Sequence, residues 1–168
     1  LRPDLKPPDS PVWHFTRTFV YRKFTSLLNI SNPNDGRGPI LSAGVAGEES
    51  DLTLLLSAVF LSRAGYKVIF LGPNLPLTAF MEAVRIVRPS LVCLAASTID
   101  TADVLVDWQN HLNRLTDDEI DWPNLPICYS GRIFLDEPSK RDGIRGRFLG
   151  HSAQDAVAVV ESALSGAS

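Results

Sequence analysis

Residues 47–52 read Gly47-Glu48-Glu49-Ser50-Asp51-Leu52, an apolar run follows, and residues 63–72 read Arg63-Ala64-Gly65-Tyr66-Lys67-Val68-Ile69-Phe70-Leu71-Gly72, with Pro76 just beyond. Leu52, Leu55, Leu56, Val59 and Phe60 recur at helical spacing, so 50–64 reads as a helix. Ser50 caps its start, where Glu48, Glu49 and Asp51 complement the positive end of the helix dipole. Gly65 ends it, because a glycine takes the left-handed conformation that closes a helix. Tyr66 to Leu71 is apolar enough for a buried strand. Pro76 to Val87 reads as the next helix, stopped before Pro89.

Outward from this unit the same alternation continues. Pro39 to Ala46 reads as a strand before it. Leu91 to Ala96, Leu125 to Tyr129 and Gly146 to Leu149 read as strands after it. Thr101 to Leu115 and Ala153 to Leu164 read as helices, the first with Val104, Leu105, Trp108 and Leu112 on one face. Strands almost bare of polar residues and separated by helices imply a parallel sheet covered on both faces. In such folds ligands bind where the strands end, near the switch in strand order. The loops to inspect are therefore 46–51, 72–76, 97–101, 130–134 and 150–152.

The amino-terminal part differs. Pro3, Pro7, Pro8 and Pro11 make the first dozen residues an extended arm. Trp13 to Leu28 reads as a helix with Phe15, Phe19, Leu27 and Leu28 on a loose apolar face. Asn32-Pro33-Asn34-Asp35-Gly36 is a loop. Residues 1–36 are thus expected as an arm plus helix, and 37–168 as an α/β domain. The chain does not open on Met, as expected of a fragment whose remaining part carries an output function.

The 168 residues suit one domain. A net charge of -3 provides no basic stripe, which argues against direct nucleic-acid binding by this segment. No apolar run approaches the roughly 18 residues of a membrane span. Cys93 and Cys128 lie in apolar runs and read as buried thiols, in keeping with a reducing cytoplasm. Thr116 to Pro123, with four acids, reads as a solvated connection. Neither Gly-x-x-x-x-Gly-Lys nor Gly-x-Gly-x-x-Gly occurs, and no Ser-His-Asp arrangement can be argued.

Several spacings coincide. Ser50 and Gly65 stand fifteen positions apart, and Gly65, Val68, Leu71, Gly72, Asn74 and Pro76 follow in register. Ser97 and Thr98 follow the third strand, and Ser130-Gly131 the fourth. This layout resembles the cobalamin-binding domains of methyltransferases, mutases and light-sensing transcription regulators, over about residues 39–164. The resemblance implies a flavodoxin-like doubly wound α/β fold, with a five-stranded parallel sheet in the order 2-1-3-4-5 and an amino-terminal helical arm. Such domains open with Asp-x-His-x-x-Gly, or Glu-x-His in the regulator branch, and the His coordinates cobalt. Here Glu48 matches the acid, Ser50 stands at the His and Thr53 at the Gly. One glycine of the pair that lets the nucleotide tail approach the backbone is Ser130.

A lower ligand from protein needs an imidazole oriented by a carboxylate, and a serine hydroxyl is a poor substitute. His-ligated cobalamin is therefore not expected at Ser50, whereas cobalamin held without a protein ligand, or haem, stays open. Of the histidines, His151 follows the fifth strand and reaches the ligand edge, or is a solvated helix-start residue. His111 reads as a surface or packing residue, and His14 meets the pocket only if its helix crosses the sheet edge. Gly131 and Arg132 form a candidate anion site. The cofactor-binding set is Glu48, Ser50, Asp51, Gly72, Ser97, Thr98, Ser130, Gly131 and His151, with no catalytic and no metal-ligating residue.

The Glu-first loop favours a non-enzymatic sensing or interaction domain of a transcription regulator. It would bind an altered tetrapyrrole or nothing, and would act with a protein partner or a DNA-binding segment elsewhere. The alternative is a corrinoid-carrying subunit in methyl transfer, with cobalt held without a protein ligand. A blander third reading is a partner-binding module whose pocket is filled. Homo-oligomerisation stays open in all three.

Overall fold

A computed structural model describes residues 11–49, 52–114 and 124–166. Its order is α1 (Pro11–Ser31), β1 (Arg37–Gly44), α2 (Leu52–Arg63), β2 (Tyr66–Gly72), α3 (Leu77–Val87) and β3 (Leu91–Ala95). Then come α4 (Ile99–Leu112), β4 (Ile127–Ser130), α5 (Ile133–Asp136), a 3-10 turn (Pro138–Arg141), β5 (Arg147–Phe148) and α6 (Asp155–Ser165). The five strands pair in parallel in the order β2-β1-β3-β4-β5. This is the doubly wound sheet that the sequence predicts, with its switch in direction between β1 and β3.

Both faces are covered. Leu41, Val92, Leu94 and Tyr129 meet Phe80 and Val84 of α3 and Leu105, Trp108 and Leu112 of α4. Ile40, Val68, Cys93 and Cys128 meet Leu54, Leu55 and Ala58 of α2 and Ala156 and Val160 of α6. Alternation along β4 therefore sends Tyr129 to the first face, and Cys128 and Ser130 to the second. Cys93 and Cys128 are buried free thiols on neighbouring strands. Burial pushes the Cys128 thiol up to about 12, and that of Cys93 well above its usual value.

Two sequence expectations change. The extended arm was expected to include Pro11, but Pro11 and Val12 begin α1, because proline fits the first turn, where its missing N–H bonds nothing. Residues 1–10 of that arm and the acidic connection lie outside the described residues. The expected apolar face of α1 is displaced: Phe15, Phe19 and Leu27 are exposed, while Leu28 is buried with Tyr21 and Phe24 packed beside it. α1 lies on α2, so α2 is covered on two sides and buries Ser57 and Ser62 as well as its leucines. The Asn32 amide then pairs with both the N–H and the carbonyl of Val68 at 2.8 and 2.9 Å, covering the free edge of β2.

Candidate functional site

Three loops meet at the carboxyl end of β1. Gly47 takes φ +83° and Asn74 φ +53°, and the Gly47 N–H donates to Asn74 Oδ1 at 2.7 Å. The Leu75 N–H donates to the Gly44 carbonyl at 3.0 Å, which joins the second loop to the first. Gly72, at φ +85°, has open space where a side chain would go, and its left-handed backbone serves this turn.

Glu48 joins the third loop. Its side chain is buried, and its carboxylate accepts from the Ser97 N–H and from Thr101 Oγ1 at 3.4 Å. Thr98 and Thr101 form a reciprocal cap: Thr101 N–H donates to Thr98 Oγ1 at 3.2 Å, and Thr98 N–H to Thr101 Oγ1 at 3.0 Å. Thr98 is therefore engaged in starting α4. The loop-and-cap reading fits Thr98.

Beside these loops, on the α2/α6 face, lies a cleft of about 500 Å³. Thr53 and Ser57 of α2 form one wall, and Ser97, Ser130 and Gly131 lie at the ends of β3 and β4. Arg132, Leu135 and Asp136 from α5 and its start, and residues 148–152, complete it. Its size falls in the roughly 300–1,000 Å³ range of small-molecule sites. The reading of a filled, tightly packed edge does not fit so open a cleft.

Ser130 is 5% exposed, and its Oγ is buried with no hydrogen-bond partner. A buried hydroxyl is normally paired, and the Ser62 hydroxyl of α2 is the other buried one without a partner among the described residues. Ser57 is also buried, but its Oγ donates to the Thr53 carbonyl at 3.0 Å. Gly131 lines the cleft beside Ser130. Its φ is +147°, and a side chain there would collide with the Ala96 carbonyl. The glycine is needed for close passage of β4 past the end of β3.

On the far rim, His151 is exposed and stands edge-on to Phe148 at 6.0 Å between ring centres. Its N–H and that of Ser152 donate to Asp155 Oδ2 at 3.0 and 2.9 Å. These bonds, from Ser152 above all, hold the Asp155 carboxyl below its usual range. Arg132 pairs with Asp136 at 3.0 Å in solvent, so its charge is already partly matched. His111 is exposed on α4. His14 is exposed on α1, one turn before Arg17, which donates to the Glu49 carbonyl at 2.7 Å.

The cleft thus unites Ser97, Ser130, Gly131 and His151, with Glu48 behind them. Gly72 and Thr98 do not line it, and Ser50 and Asp51 lie outside the described residues. Ser57, Phe148 and Ser152 were not singled out in the sequence. Ser57 carried one signal, a hydroxyl four positions after Thr53 in an otherwise apolar helix. Among the described residues, no group of three His, Cys, Asp or Glu is placed to hold a metal ion.

The fold recurs in solved structures. A cobalamin-binding protein from Desulfitobacterium hafniense DCB-2 has a TM-score of 0.64 and 18% identity over 77% of this chain and 60% of that one. The methanol:cobalamin methyltransferase complex from Methanosarcina barkeri has a TM-score of 0.64 and 18% identity over 82% and 50%. The monomethylamine corrinoid protein from Methanosarcina barkeri has a TM-score of 0.62 and 16% identity over 84% and 66%. The chain therefore spans half to two thirds of the length of these proteins. No protein-family model and no curated protein matches it.

At identities this low the comparison shows a shared fold alone. The expectation of a transcription-regulator domain is overturned by these neighbours, which agree with the methyl-transfer alternative. Its basis was the acid at Glu48, and that carboxylate is turned inward to hold Ser97. The acid serves loop geometry here.

Proposed function

We propose that the chain is a corrinoid-carrying domain of a methyl-transfer system, with the nucleotide tail of the cofactor in the cleft and no protein imidazole on the cobalt. The observation that carries this reading is the open cleft of about 500 Å³ where the strands end. The fold shared with corrinoid proteins supports it. The residues present fit a nucleotide tail: the cleft has room for it and offers hydroxyls from Thr53, Ser97 and Ser152. They do not supply a cobalt ligand at position 50, where the imidazole expected from the resemblance is replaced by serine.

When bound, a corrinoid supplies a cobalt centre that receives a methyl group and hands it on. The chain's own groups bind and orient. Glu48 fixes Ser97 at the cleft, the Ser152–Asp155 bonds fix the rim, and His151 on that rim would be available to hold a polar part of the tail. On this reading, bond making and breaking falls to a partner methyltransferase. Such a carrier works in the cytoplasm, where Cys93 and Cys128 stay reduced. No helix among the described residues is long and apolar enough to cross a membrane.

Mixing purified protein with hydroxocobalamin and desalting tests this reading. The protein should retain the corrinoid absorption bands, and Ser57→Trp, which fills the cleft, should weaken binding by about tenfold or more, or roughly 1.4 kcal/mol. A colourless wild-type protein would sink the proposal. So would Ser57→Trp binding as tightly as wild type.

A further inference from the structure

We infer that the outer face of α1 is a self-complementary docking surface, through which two copies of the chain pair as an antiparallel helix dimer. One side of α1 is used within the chain. Tyr21, Phe24 and Leu28 pack into the core beside α2. Arg17 donates to the Glu49 carbonyl at 2.7 Å, and Asn32, just past the helix, is bonded to Val68. These contacts hold the helix in place on the domain. The opposite side presents Val12, Phe15, Phe19, Leu27 and Ile30, which are 46% to 84% exposed. A helix that is apolar on both sides has a second face to bury.

The spacing of this stripe selects the occupant. Val12, Phe15, Phe19, Lys23, Leu27 and Ile30 follow at steps of 3, 4, 4, 4 and 3 residues, which read alike in both directions. Steps of three and four keep all six on one helix face. A second copy laid antiparallel, with a two-fold axis at the level of residue 21, sets Val12 against Ile30, Phe15 against Leu27 and Phe19 against Lys23. Each contact then occurs twice, the form that a two-fold interface takes. The Phe15 and Phe19 rings stack at 6.2 Å between centres and form a flat ledge. Lys23 does not block the pairing: its ammonium lies over the Phe19 ring, 5.5 Å from the centre, and its stem covers apolar surface. The five apolar side chains expose on the order of 500 Å² per copy. Two copies thus cover about 1,000 Å², the size at which specific interfaces begin. An acidic partner surface would match Arg22 and Lys23 but would not call for the mirrored spacing.

Sedimentation equilibrium of the full chain, with no corrinoid added, tests this independently of the cleft. Wild type should dimerise with a dissociation constant in the micromolar range, as suits a small interface. Phe19→Glu, at an exposed position, should weaken the dimer by about tenfold or more and leave the circular dichroism unchanged. Added salt should tighten the dimer, because α1 brings Arg22 and Lys23 and no acid to the pair. Crosslinking tests the register. Val12→Cys/Ile30→Cys should give a disulfide-linked dimer on mild oxidation. Ile30→Cys alone should not, because antiparallel pairing holds the two copies of that position about 27 Å apart. The native Cys93 and Cys128 are buried and take no part. A monomeric wild type would overturn the inference and leave the stripe to another partner. Dimerisation unchanged in Phe19→Glu, or crosslinking through Ile30→Cys alone, would overturn it too.

Discussion

At the scale of single residues, Glu48 ties the site together. It is buried beside the ends of β1 and β3, where an ionised carboxylate needs hydrogen-bond donors. The Ser97 N–H and Thr101 hydroxyl provide them. Glu48→Ala would leave the Ser97 N–H unpaired and open space under Gly44. It should lower unfolding stability by about 1–3 kcal/mol in urea titrations and weaken corrinoid binding in the same protein. Glu48→Gln, which keeps an acceptor, should lose less. Little of this was legible in the sequence. An acid in a loop reads as solvated charge at a helix start, as Glu49 is, and only the crossing of the β1 and β3 loops turns Glu48 inward.

At the scale of elements, the tightest constraint is the passage of β4 past β3. Gly131 sits at φ +147° against the Ala96 carbonyl, so a methyl group there meets both backbone strain and a clash. Gly131→Ala should cost about 3 kcal/mol or more, read as a lowered midpoint in denaturant, and should distort the cleft. The repeated alternation of apolar runs and helices made the sheet and its helices legible from Leu52 to Gly72 outward, while its strand order is what the family resemblance implies. Strand ends moved by only one or two residues, as at β4, which starts after Pro126. Elements resting on weaker periodicity were not legible. α5 and the following 3-10 turn are four residues each, too short for a helical pattern. The packed face of α1 was misread because α2 selects Tyr21, Phe24 and Leu28 through tertiary contact, and leaves the equally apolar Phe15 and Phe19 in solvent.

At the scale of the whole molecule, two apolar layers enclose a sheet with two thiols on adjacent strands. Cys128 titrates near 12 when folded and near 9 as a free thiol, and Cys93 is shifted in the same direction. Both must be protonated in the native state, so the unfolded chain loses protons first as pH rises. Stability is fully present below about pH 9 and should fall above it by about 1.4 kcal/mol per pH unit for each thiol. Denaturant titrations between pH 8 and 11 should show this slope, and Cys93→Ala/Cys128→Ala should flatten it. The carboxyl edge of the same sheet carries the account's central claim, that the cleft between α2, β4 and the β5 loop receives the tail of a corrinoid. A crystal structure of the protein with cobalamin tests this most directly. The account predicts the nucleotide tail beside Ser57, Ser97 and Ser130, with no histidine from this chain on the cobalt. A corrinoid seated elsewhere, or cobalt bound by His14, His111 or His151, would contradict it.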